Sequence, residues 1–317
     1  MKIAVGDIGG TNARFALAEV EGGKVVSLGE PCVFPARQHA GIASAWRAFG
    51  EALGEPPPRR ASLAIAGPVT GGIVRFLNSP WVVDPSTLAA ELALDGHLLL
   101  NDFGAMAYAV HALPAAFFEH LCGPDVPLPA EHAVSVIGPG TGLGVAVLQR
   151  PRGRVTVLET EGGHIHFAPL DARERQVSEA IAVKYGRTSI ERVVAGPGLG
   201  DIVRTFAPAD ARIDGDLWAS ALAGDEPLTR DALTLYLGAY GSAAGDLSLA
   251  HGSLGIALTG GLTNRMKHML CDSAFHRRFV DKGRYRERMQ AIPVKLITHP
   301  QPGLYGAAAA FALEQPE

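Results

Sequence analysis

Cysteine is scarce in this chain. Only three of the 317 residues are cysteines, Cys32, Cys122 and Cys271, and no Cys-x-x-Cys pair occurs. An odd number of widely spaced cysteines excludes a disulfide framework and a zinc site built from thiolates. The pattern is typical of a protein from a reducing compartment.

A strong charge of one sign is also missing. The formal net charge is -4, and the basic clusters Arg59-Arg60 and Arg284 to Arg288 are short. Nucleic-acid binders usually carry a basic surface or stripe, whereas short clusters of this kind are typical of a solvated surface. We therefore expect no nucleic-acid partner.

Long apolar runs are absent as well. The segment from Met1 to Val20 is interrupted by Asp7, Asn12 and Arg14, so it does not match a secretory signal peptide. No apolar stretch reaches the roughly 20 residues that span a bilayer. We expect no membrane partner and a cytoplasmic location.

The two common nucleotide-binding fingerprints are missing too. The chain lacks Gly-x-x-x-x-Gly-Lys-Ser/Thr, and no strict Gly-x-Gly-x-x-Gly opens a predicted helix. The P-loop and dinucleotide-binding interpretations are therefore excluded.

What the chain has instead is glycine, in three turns that each follow a short predicted strand. These turns are Gly6 to Asn12, Gly138 to Gly144 and Gly260-Gly261. Glycine lets backbone N–H groups approach a phosphate closely, and Thr11 and Thr141 offer hydroxyl donors. One such turn is usually a hairpin loop, but three together, two of them carrying Gly-Thr, predict a nucleotide site.

The predicted elements fall into two similar halves. The pattern of strand, glycine turn, strand, turn, strand runs from Ile3 onward and occurs again from about His132, which indicates an internal duplication. Strands alternate with helices in both halves, so we predict two α/β domains around a cleft. The length of 317 residues also fits two domains.

Asp7 lies inside the first glycine turn. A carboxylate among phosphate-binding amides is repulsive unless a cation lies between them. Mg²⁺ prefers one or two carboxylates together with water and substrate phosphates, so Asp7 is a candidate magnesium ligand that acts through water. The alternative is an aspartate that hydrogen-bonds the backbone of its own turn.

Asn101-Asp102 follows the buried strand candidate Leu98 to Leu100. Ligands of open α/β sheets gather beyond the carboxyl ends of the strands. There Asp102 can accept a hydroxyl proton, and Asn101 can bond a neighbouring hydroxyl. Asp102 is equally suited to cap a helix that starts near Phe103, and the two roles are compatible.

Two further segments offer carboxylates. In Glu161-Gly162-Gly163-His164, a carboxylate and an imidazole flank a flexible glycine pair and suit the vicinal hydroxyls of a polyol. A metal site suits this segment less well because no cysteine follows before Cys271, and a surface hairpin is the other alternative. Glu191 lies on a predicted helix, and by itself it is typical of a solvated charge.

Together these segments resemble the bacterial glucokinase family, within the sugar kinase–actin–heat-shock ATPase superfamily. The similar segments occur in family order from residue 6 to about 307 and cover nearly the whole chain. They are the first phosphate motif, Asp7 to Arg14; the catalytic segment, Leu100 to Phe103; the second phosphate motif, Gly138 to Gly144; the sugar-contact segment, Glu161 to His164; a segment with a further sugar-binding glutamate, Glu191 to Gly198; the adenosine motif, Thr259 to Gly261; and the closing segment, Pro302 to Ala307.

The resemblance implies an ATP-dependent kinase that phosphorylates D-glucose at the 6-hydroxyl, with magnesium as cofactor. It implies that Asp102 is the catalytic base within a set of polar residues that contact glucose. The glucose-contacting set is Asn78, Asn101, Asp102, Glu161, His164 and Glu191. The implied nucleotide-binding set is Asp7, Gly9, Gly10, Thr11, Asn12, Gly140, Thr141, Gly142, Gly260 and Gly261.

The resemblance also implies a homodimer and a two-lobed actin-like ATPase (ribonuclease H-like) fold with a cleft between the lobes. The smaller lobe comprises residues 1–112 and 302–317, and the larger lobe comprises residues 113–301.

The related ROK kinases bind structural zinc through cysteines after their Gly-His motif. Here no cysteine stands between His164 and Cys271, so we expect no zinc. ROK repressors start with a helix-turn-helix, and because this chain starts at the first phosphate strand, we expect no DNA binding.

Two alternatives stay open at this point. One is a kinase for another hexose, or a glucokinase that uses polyphosphate as the donor. The other is a non-enzymatic, sugar-sensing binding protein that kept the fold, since one fold serves many functions. The joint presence of the base, the sugar carboxylates and three glycine turns argues against the second alternative.

Overall fold

The computed structural model describes residues 1–67, 69, 72–76 and 79–315. The chain divides into two compact units. Unit 1 consists of Met1–Pro114 and His299–Glu317, and unit 2 consists of Ala115–Thr298.

Unit 1 is a mixed sheet with helices on both faces. Its strands are β1 (Lys2–Ile8), β2 (Asn12–Glu21), β3 (Lys24–Leu28), β4 (Cys32–Pro35), β5 (Arg60–Ile65), β6 (Val74–Arg75), β7 (Val82–Val83) and β8 (Gly96–Asn101). Its helices are α1 (Ile42–Leu53), α2 (Pro85–Glu91), α3 (Asp102–Ala112) and α12 (Pro302–Glu314).

The main sheet of unit 1 has the strand order β3-β2-β1-β5-β8, with β4 paired to β2. Strands β1 and β2 form an antiparallel hairpin, whereas β1, β5 and β8 are parallel neighbours. Alternate side chains of β1 point to opposite faces, as the period of a strand requires. Val5 packs with Phe311 of α12 on one face, and Ile8 belongs to a core with Phe15 and Trp46 on the other.

Unit 2 combines a second sheet with most of the helices. Its strands are β9 (Phe118–Cys122), β10 (Val134–Pro139), β11 (Leu143–Gln149), β12 (Thr156–Thr160), β13 (Gly255–Leu258) and β14 (Val294–Ile297). Its helices are α4 (Ala172–Tyr185), α5 (Ile190–Val194), α6 (Gly198–Phe206), α7 (Asp214–Ala223), α8 (Pro227–His251), α9 (Gly261–Leu270), α10 (Ala274–Val280) and α11 (Arg286–Gln290).

The sheet of unit 2 repeats the topology of unit 1. Its order is β12-β11-β10-β13-β14-β9, in which β10 and β11 form an antiparallel hairpin and β10, β13 and β14 are parallel. The sequence β12-β11-β10-β13-β14 thus corresponds strand for strand to β3-β2-β1-β5-β8. The internal duplication that the two glycine-turn patterns indicated is present in the topology. None of the helices in the described residues combines the length and the apolar character that a membrane-spanning helix needs.

The stability of the fold should depend on histidine protonation. Burial lowers the pKa of His251, His276 and His299 below the ordinary value of 6.5. Just below that value the unfolded chain binds more protons than the folded chain, so the free energy of unfolding should fall as the pH falls through this range. Urea unfolding at about pH 7.5 and about pH 5.5 measures the effect, and His251→Asn should reduce it. An equal free energy of unfolding at both pH values would contradict the prediction that these buried histidines destabilise the fold when they are protonated.

Candidate active site

The first glycine turn joins β1 to β2 and is held by its own backbone. The N–H of Gly9 donates to the carbonyl of Asn12 at 3.0 Å, and the N–H of Ala36 donates to the carbonyl of Thr11 at 2.8 Å. Gly9, Gly10 and Thr11 are at least partly exposed. The turn therefore has a fixed shape and presents backbone groups to solvent, as a phosphate-binding turn requires.

Asp7 pairs with an arginine that the sequence analysis did not single out. Arg14 stands opposite Asp7 in the β1–β2 register, and its Nη1 donates to Asp7 Oδ2 at 3.2 Å. The alternative role of Asp7, bonding the backbone of its own turn, gives way to this ion pair. Burial raises the pKa of Asp7, although the Arg14 charge and hydrogen bond act in the opposite direction. The sequence contained a signal for this pair, because counting residues outward from the hairpin turn along β1 and β2 places Arg14 opposite Asp7.

Asn101, not Asp102, caps helix α3. The Oδ1 of Asn101 accepts the N–H groups of Phe103 at 2.8 Å and Gly104 at 3.3 Å, and its Nδ2 donates to the carbonyl of Gly67 at 3.0 Å. Asp102 is the first residue of the helix, and its Oδ1 lies 2.9 Å from the same Phe103 nitrogen. The interpretation of Asp102 as the N-cap is therefore wrong. Its carboxylate lies at the N-terminal end of a helix that its neighbour already caps.

The first glycine turn and Asp102 lie at the same edge of the unit 1 sheet. Ile8 at the end of β1 aligns with Ile65 of β5, which aligns with Asn101 at the end of β8. Because neighbouring strands are about 4.8 Å apart, the ends of β1 and β8 are about 10 Å apart. This is the edge where open α/β sheets bind ligands. Asn78, the remaining candidate of this unit, lies outside the described residues.

The second and third glycine turns, which both belong to unit 2, are neighbours. The second turn joins β10 to β11 and is closed by a bond from the N–H of Gly140 to the carbonyl of Gly142, at 2.7 Å. Gly260 follows β13 with a φ of +96°, and a Cβ there would lie 2.9 Å from the carbonyl oxygen of Pro139. Only glycine fits this backbone and this approach. The predicted phosphate and adenosine motifs are thus brought together.

The segment Glu161 to His164 packs against the second turn. A Cβ on Gly163 would lie 2.4 Å from the carbonyl oxygen of Leu143, so this glycine allows close approach rather than flexibility. The expectation that both glycines of this pair are flexible is therefore wrong at Gly163. The Nε2 of His164 lies 3.7 Å from Glu161 Oε2, and both side chains are largely exposed. An exposed imidazole and carboxylate suit hydroxyl recognition.

Glu191 is not a solvated charge. It lies on the short helix α5, which Ser189 caps, and its Oε2 accepts the N–H of Leu143 at 2.9 Å. Leu143 therefore lies against both segments that carry sugar-binding candidates: its N–H donates to Glu191, and its carbonyl packs against Gly163. No local pattern in the sequence around Glu191 indicated this contact, because it joins residues 48 positions apart.

The comparisons with known proteins all point to one family. The glucokinase family model matches residues 4–314. A glucokinase of Zymomonas mobilis subsp. mobilis is 48% identical over 317 residues, and the match covers 98% of each chain. The crystal structure of a glucokinase from an Antarctic psychrotroph is 31% identical, has a TM-score of 0.83 and matches 98% of each chain.

A more distant structure carries the same fold. The ROK family glucokinase from Streptomyces griseus, solved in complex with glucose and AMPPNP, is 20% identical with a TM-score of 0.66, over 98% of this chain and 99% of that one. These neighbours have the two-lobed actin-like ATPase fold, so the fold class expected from the sequence is confirmed. Because the family model and the Zymomonas relative extend over nearly the whole chain, the chain belongs to the glucokinase family of phosphotransferases.

Proposed function

We propose that this protein transfers the γ-phosphoryl group of ATP to the 6-hydroxyl of D-glucose and forms glucose 6-phosphate for glycolysis. Membership of the glucokinase family supports glucose as the acceptor. The observation that carries the proposal is the position of Asp102 at the start of α3, at the same sheet edge as the first glycine turn. A base and a phosphate-binding turn at one edge are the minimum that phosphoryl transfer to a hydroxyl needs.

In the proposed reaction Asp102 accepts the proton of the 6-hydroxyl while that oxygen attacks the γ-phosphorus. The bond between the γ-phosphorus and the bridging oxygen breaks, and ADP leaves. The proton ends on the Asp102 carboxylate, so the attacking oxygen is not left as a cation. Little covalent chemistry is required beyond this transfer, and most of the catalysis is positioning and charge stabilisation.

Sugar positioning is proposed for a set of polar side chains. As the resemblance to the family implies, the side chains proposed to bind glucose hydroxyls are Asn78, Asn101, Glu161, His164 and Glu191. The carboxylates accept from hydroxyls, and the imidazole of His164 both accepts and donates. Fixing several hydroxyls leaves the 6-hydroxyl oriented for attack, which can supply several kcal/mol of the barrier.

The glycine turns are proposed to bind the nucleotide. The N–H groups of Gly9 and Gly140 already donate within their own turns. The proposed phosphate donors are therefore the two threonine hydroxyls, the side chain of Asn12, and the N–H groups of Gly10, Thr11, Thr141 and Gly142. Gly260 and Gly261, next to Pro139, are proposed to let the adenosine pack against the backbone.

The residues present fit a magnesium ion that is held mainly by water and phosphate. In the described part of the chain, no group of three or more His, Cys, Asp or Glu side chains is placed so that it could hold a metal ion by itself. Mg²⁺ usually keeps several waters and takes only one or two carboxylates, and Asp7 beside the first turn supplies one. The ion, when bound, neutralises charge that develops on the phosphate oxygens. The Arg14 contact uses Oδ2 of Asp7, and Oδ1 is proposed to accept from a magnesium-bound water.

Replacing Asp7 with asparagine should weaken magnesium binding. The loss of a carboxylate that orients a metal-bound water typically costs about 10- to 100-fold in metal affinity, so the magnesium concentration for half-maximal rate should rise by that factor. Titrating magnesium at saturating glucose and ATP measures it. Asp95→Asn is the matched control, because Asp95 also pairs with an arginine in unit 1, Arg59 at 2.6 Å, but on the surface. Equal magnesium dependence in the two variants would contradict the role of Asp7.

We also propose a cytoplasmic homodimer. The cytoplasm is where ATP and free cysteine thiols such as Cys32, Cys122 and Cys271 are maintained. The dimer follows from the resemblance to the family. Sedimentation at micromolar protein concentration tests it, and a mass equal to one chain would contradict it.

The alternatives differ in acceptor and donor, so one set of assays separates them. Turnover of the purified protein should be compared on glucose, mannose, fructose and N-acetylmannosamine with ATP, and on glucose with polyphosphate. We expect the highest kcat/KM for glucose with ATP. A higher value for another hexose or for polyphosphate would favour the corresponding alternative, and sugar binding without any turnover would favour the sugar-sensing protein.

A further inference from the structure

The side chain of Glu191 contacts the second glycine turn directly. Its Oε2 accepts the N–H of Leu143 at 2.9 Å, at the point where the turn enters β11. The preceding residue is Gly142, and a Cβ there would lie 2.5 Å from the same Oε2. The path of the turn therefore depends on a residue without a side chain at position 142 and on a carboxylate at position 191.

A second contact joins the same two segments. The N–H of Gly196, just beyond helix α5, donates to the carbonyl of Gly140 at 2.8 Å. The two bonds hold Gly140 and Leu143, which bracket the proposed phosphate donors Thr141 and Gly142. The segment that carries Glu191 thus fixes both ends of the second turn.

The segment that carries Glu191 is itself rigidly supported from the core. The hydroxyl of Tyr236 donates to the carbonyl of Val194, and the Nε1 of Trp218 donates to the carbonyl of Gly196 at 2.7 Å. The two rings pack edge to face, with centroids 5.0 Å apart, and both side chains are buried. These bonds hold the backbone of the segment at Val194 and Gly196, just after Glu191, so the Glu191 side chain is the part of the contact that a ligand can still order.

We infer that Glu191 is a positioning residue for the nucleotide: its carboxylate fixes the second glycine turn in its phosphate-binding shape and so couples ATP binding to sugar binding. The inference rests on the proposed function, which gives Glu191 a sugar hydroxyl and the turn a phosphate. Oε2 holds Leu143, and Oε1 is assigned to the sugar. A ligand that orders the carboxylate or the turn prepares the other contact, so each substrate should raise the affinity for the other.

Two substitutions at Glu191 separate this role from sugar contact. Glutamine keeps a carbonyl oxygen that can accept the Leu143 N–H but loses the negative charge, whereas alanine removes both. Binding of magnesium AMPPNP is measured by calorimetry without any sugar, and glucose binding is measured separately. Glu191→Ala should weaken AMPPNP binding about tenfold, the scale of one hydrogen bond to a charged acceptor. Glu191→Gln should bind AMPPNP within about twofold of the wild type, while both variants bind glucose more weakly.

The matched control is Glu161→Ala. Glu161 belongs to the proposed sugar set, but its side-chain contact in the structure is with His164, at 3.7 Å, and not with the turn. This variant should lose glucose affinity and keep the AMPPNP affinity of the wild type. Gly142→Ala provides a second route should Glu191→Ala fold poorly: its Cβ displaces the carboxylate, so AMPPNP binding should weaken without any change at position 191.

AMPPNP affinity in Glu191→Ala equal to that of the wild type would overturn the inference, even if glucose kinase activity is confirmed. An equal loss of AMPPNP affinity in Glu161→Ala would also overturn it, since the effect would then not be carried by the turn contact. A wild-type protein that binds AMPPNP but does not phosphorylate glucose would refute the proposed function instead, and the weaker AMPPNP binding of Glu191→Ala would still be expected.

Discussion

Replacing Asp102 with alanine is expected to lower kcat by roughly two to four orders of magnitude, the usual contribution of a general base. The structure makes this a clean test. Because Asn101 caps α3, with Oδ1 bound to the N–H groups of Phe103 and Gly104, the cap survives the substitution. Alanine also favours the helical backbone. The variant should therefore fold and bind glucose, and steady-state kinetics with a direct binding assay measure both quantities.

Asp84→Ala is the matched control for Asp102→Ala. Asp84 also lies at the start of a helix in unit 1, where its Oδ1 accepts the N–H of Ser86 at 2.9 Å and caps α2. Its loss should cost about 1 kcal/mol of stability and leave kcat unchanged. Near-normal turnover in Asp102→Ala would refute Asp102 as the base, whereas a fall in kcat for both variants would point to a general effect of altering helix starts.

The second large effect is expected from Gly306→Ala, where α12 crosses α3. A Cβ at this position would lie 1.8 Å from the carbonyl oxygen of Ala105 and 3.0 Å from the nitrogen of Ala109. The helices would have to separate, and such overpacking costs about 1–3 kcal/mol. This outweighs the gain of up to about 1 kcal/mol that alanine brings to a helix interior. Because Ala105 lies one turn after Asp102, kcat should also fall, by up to about 100-fold for a shift near 1 Å.

Gly238→Ala in helix α8 is the matched control for Gly306→Ala. It is the same substitution inside a buried helix, but its Cβ would be 3.6 Å from Ala274 Cβ, an ordinary packing distance. This variant should be as stable as the wild type or slightly more stable. Thermal and urea unfolding measure the difference. A Gly306→Ala protein as stable as Gly238→Ala would show that α3 and α12 are not in tight contact.

The fold was predictable to a large extent because its signals are local. The hairpin of β1 and β2 around Gly9-Gly10, and its counterpart around Gly140-Thr141, follow from short apolar runs on either side of glycine. The repeated pattern of strands and glycine turns predicted the internal duplication, and the order of the motifs along the chain predicted the family. What local patterns do not contain is the pairing of distant strands, such as β10 with β13, which brings Gly260 next to Pro139.

The candidate site was predictable as a set of residues and less so as a set of contacts. Asn101 and Asp102 are both good helix caps by residue type, and only the backbone geometry assigns the cap to Asn101. Glu191 resembled a surface charge because its partner, the N–H of Leu143, is a backbone group far along the chain. Gly163 suggested flexibility, but its role depends on the carbonyl of Leu143 that packs against it.

The most direct measurement is phosphate transfer itself. Purified protein is incubated with glucose, magnesium and ATP labelled at the γ-phosphate, and the labelled product is identified by the position of its phosphate. We predict label on the 6-oxygen of glucose with the wild-type protein and a loss of about 100- to 10,000-fold in rate with Asp102→Ala. A folded wild-type protein that places no label on glucose would contradict the account.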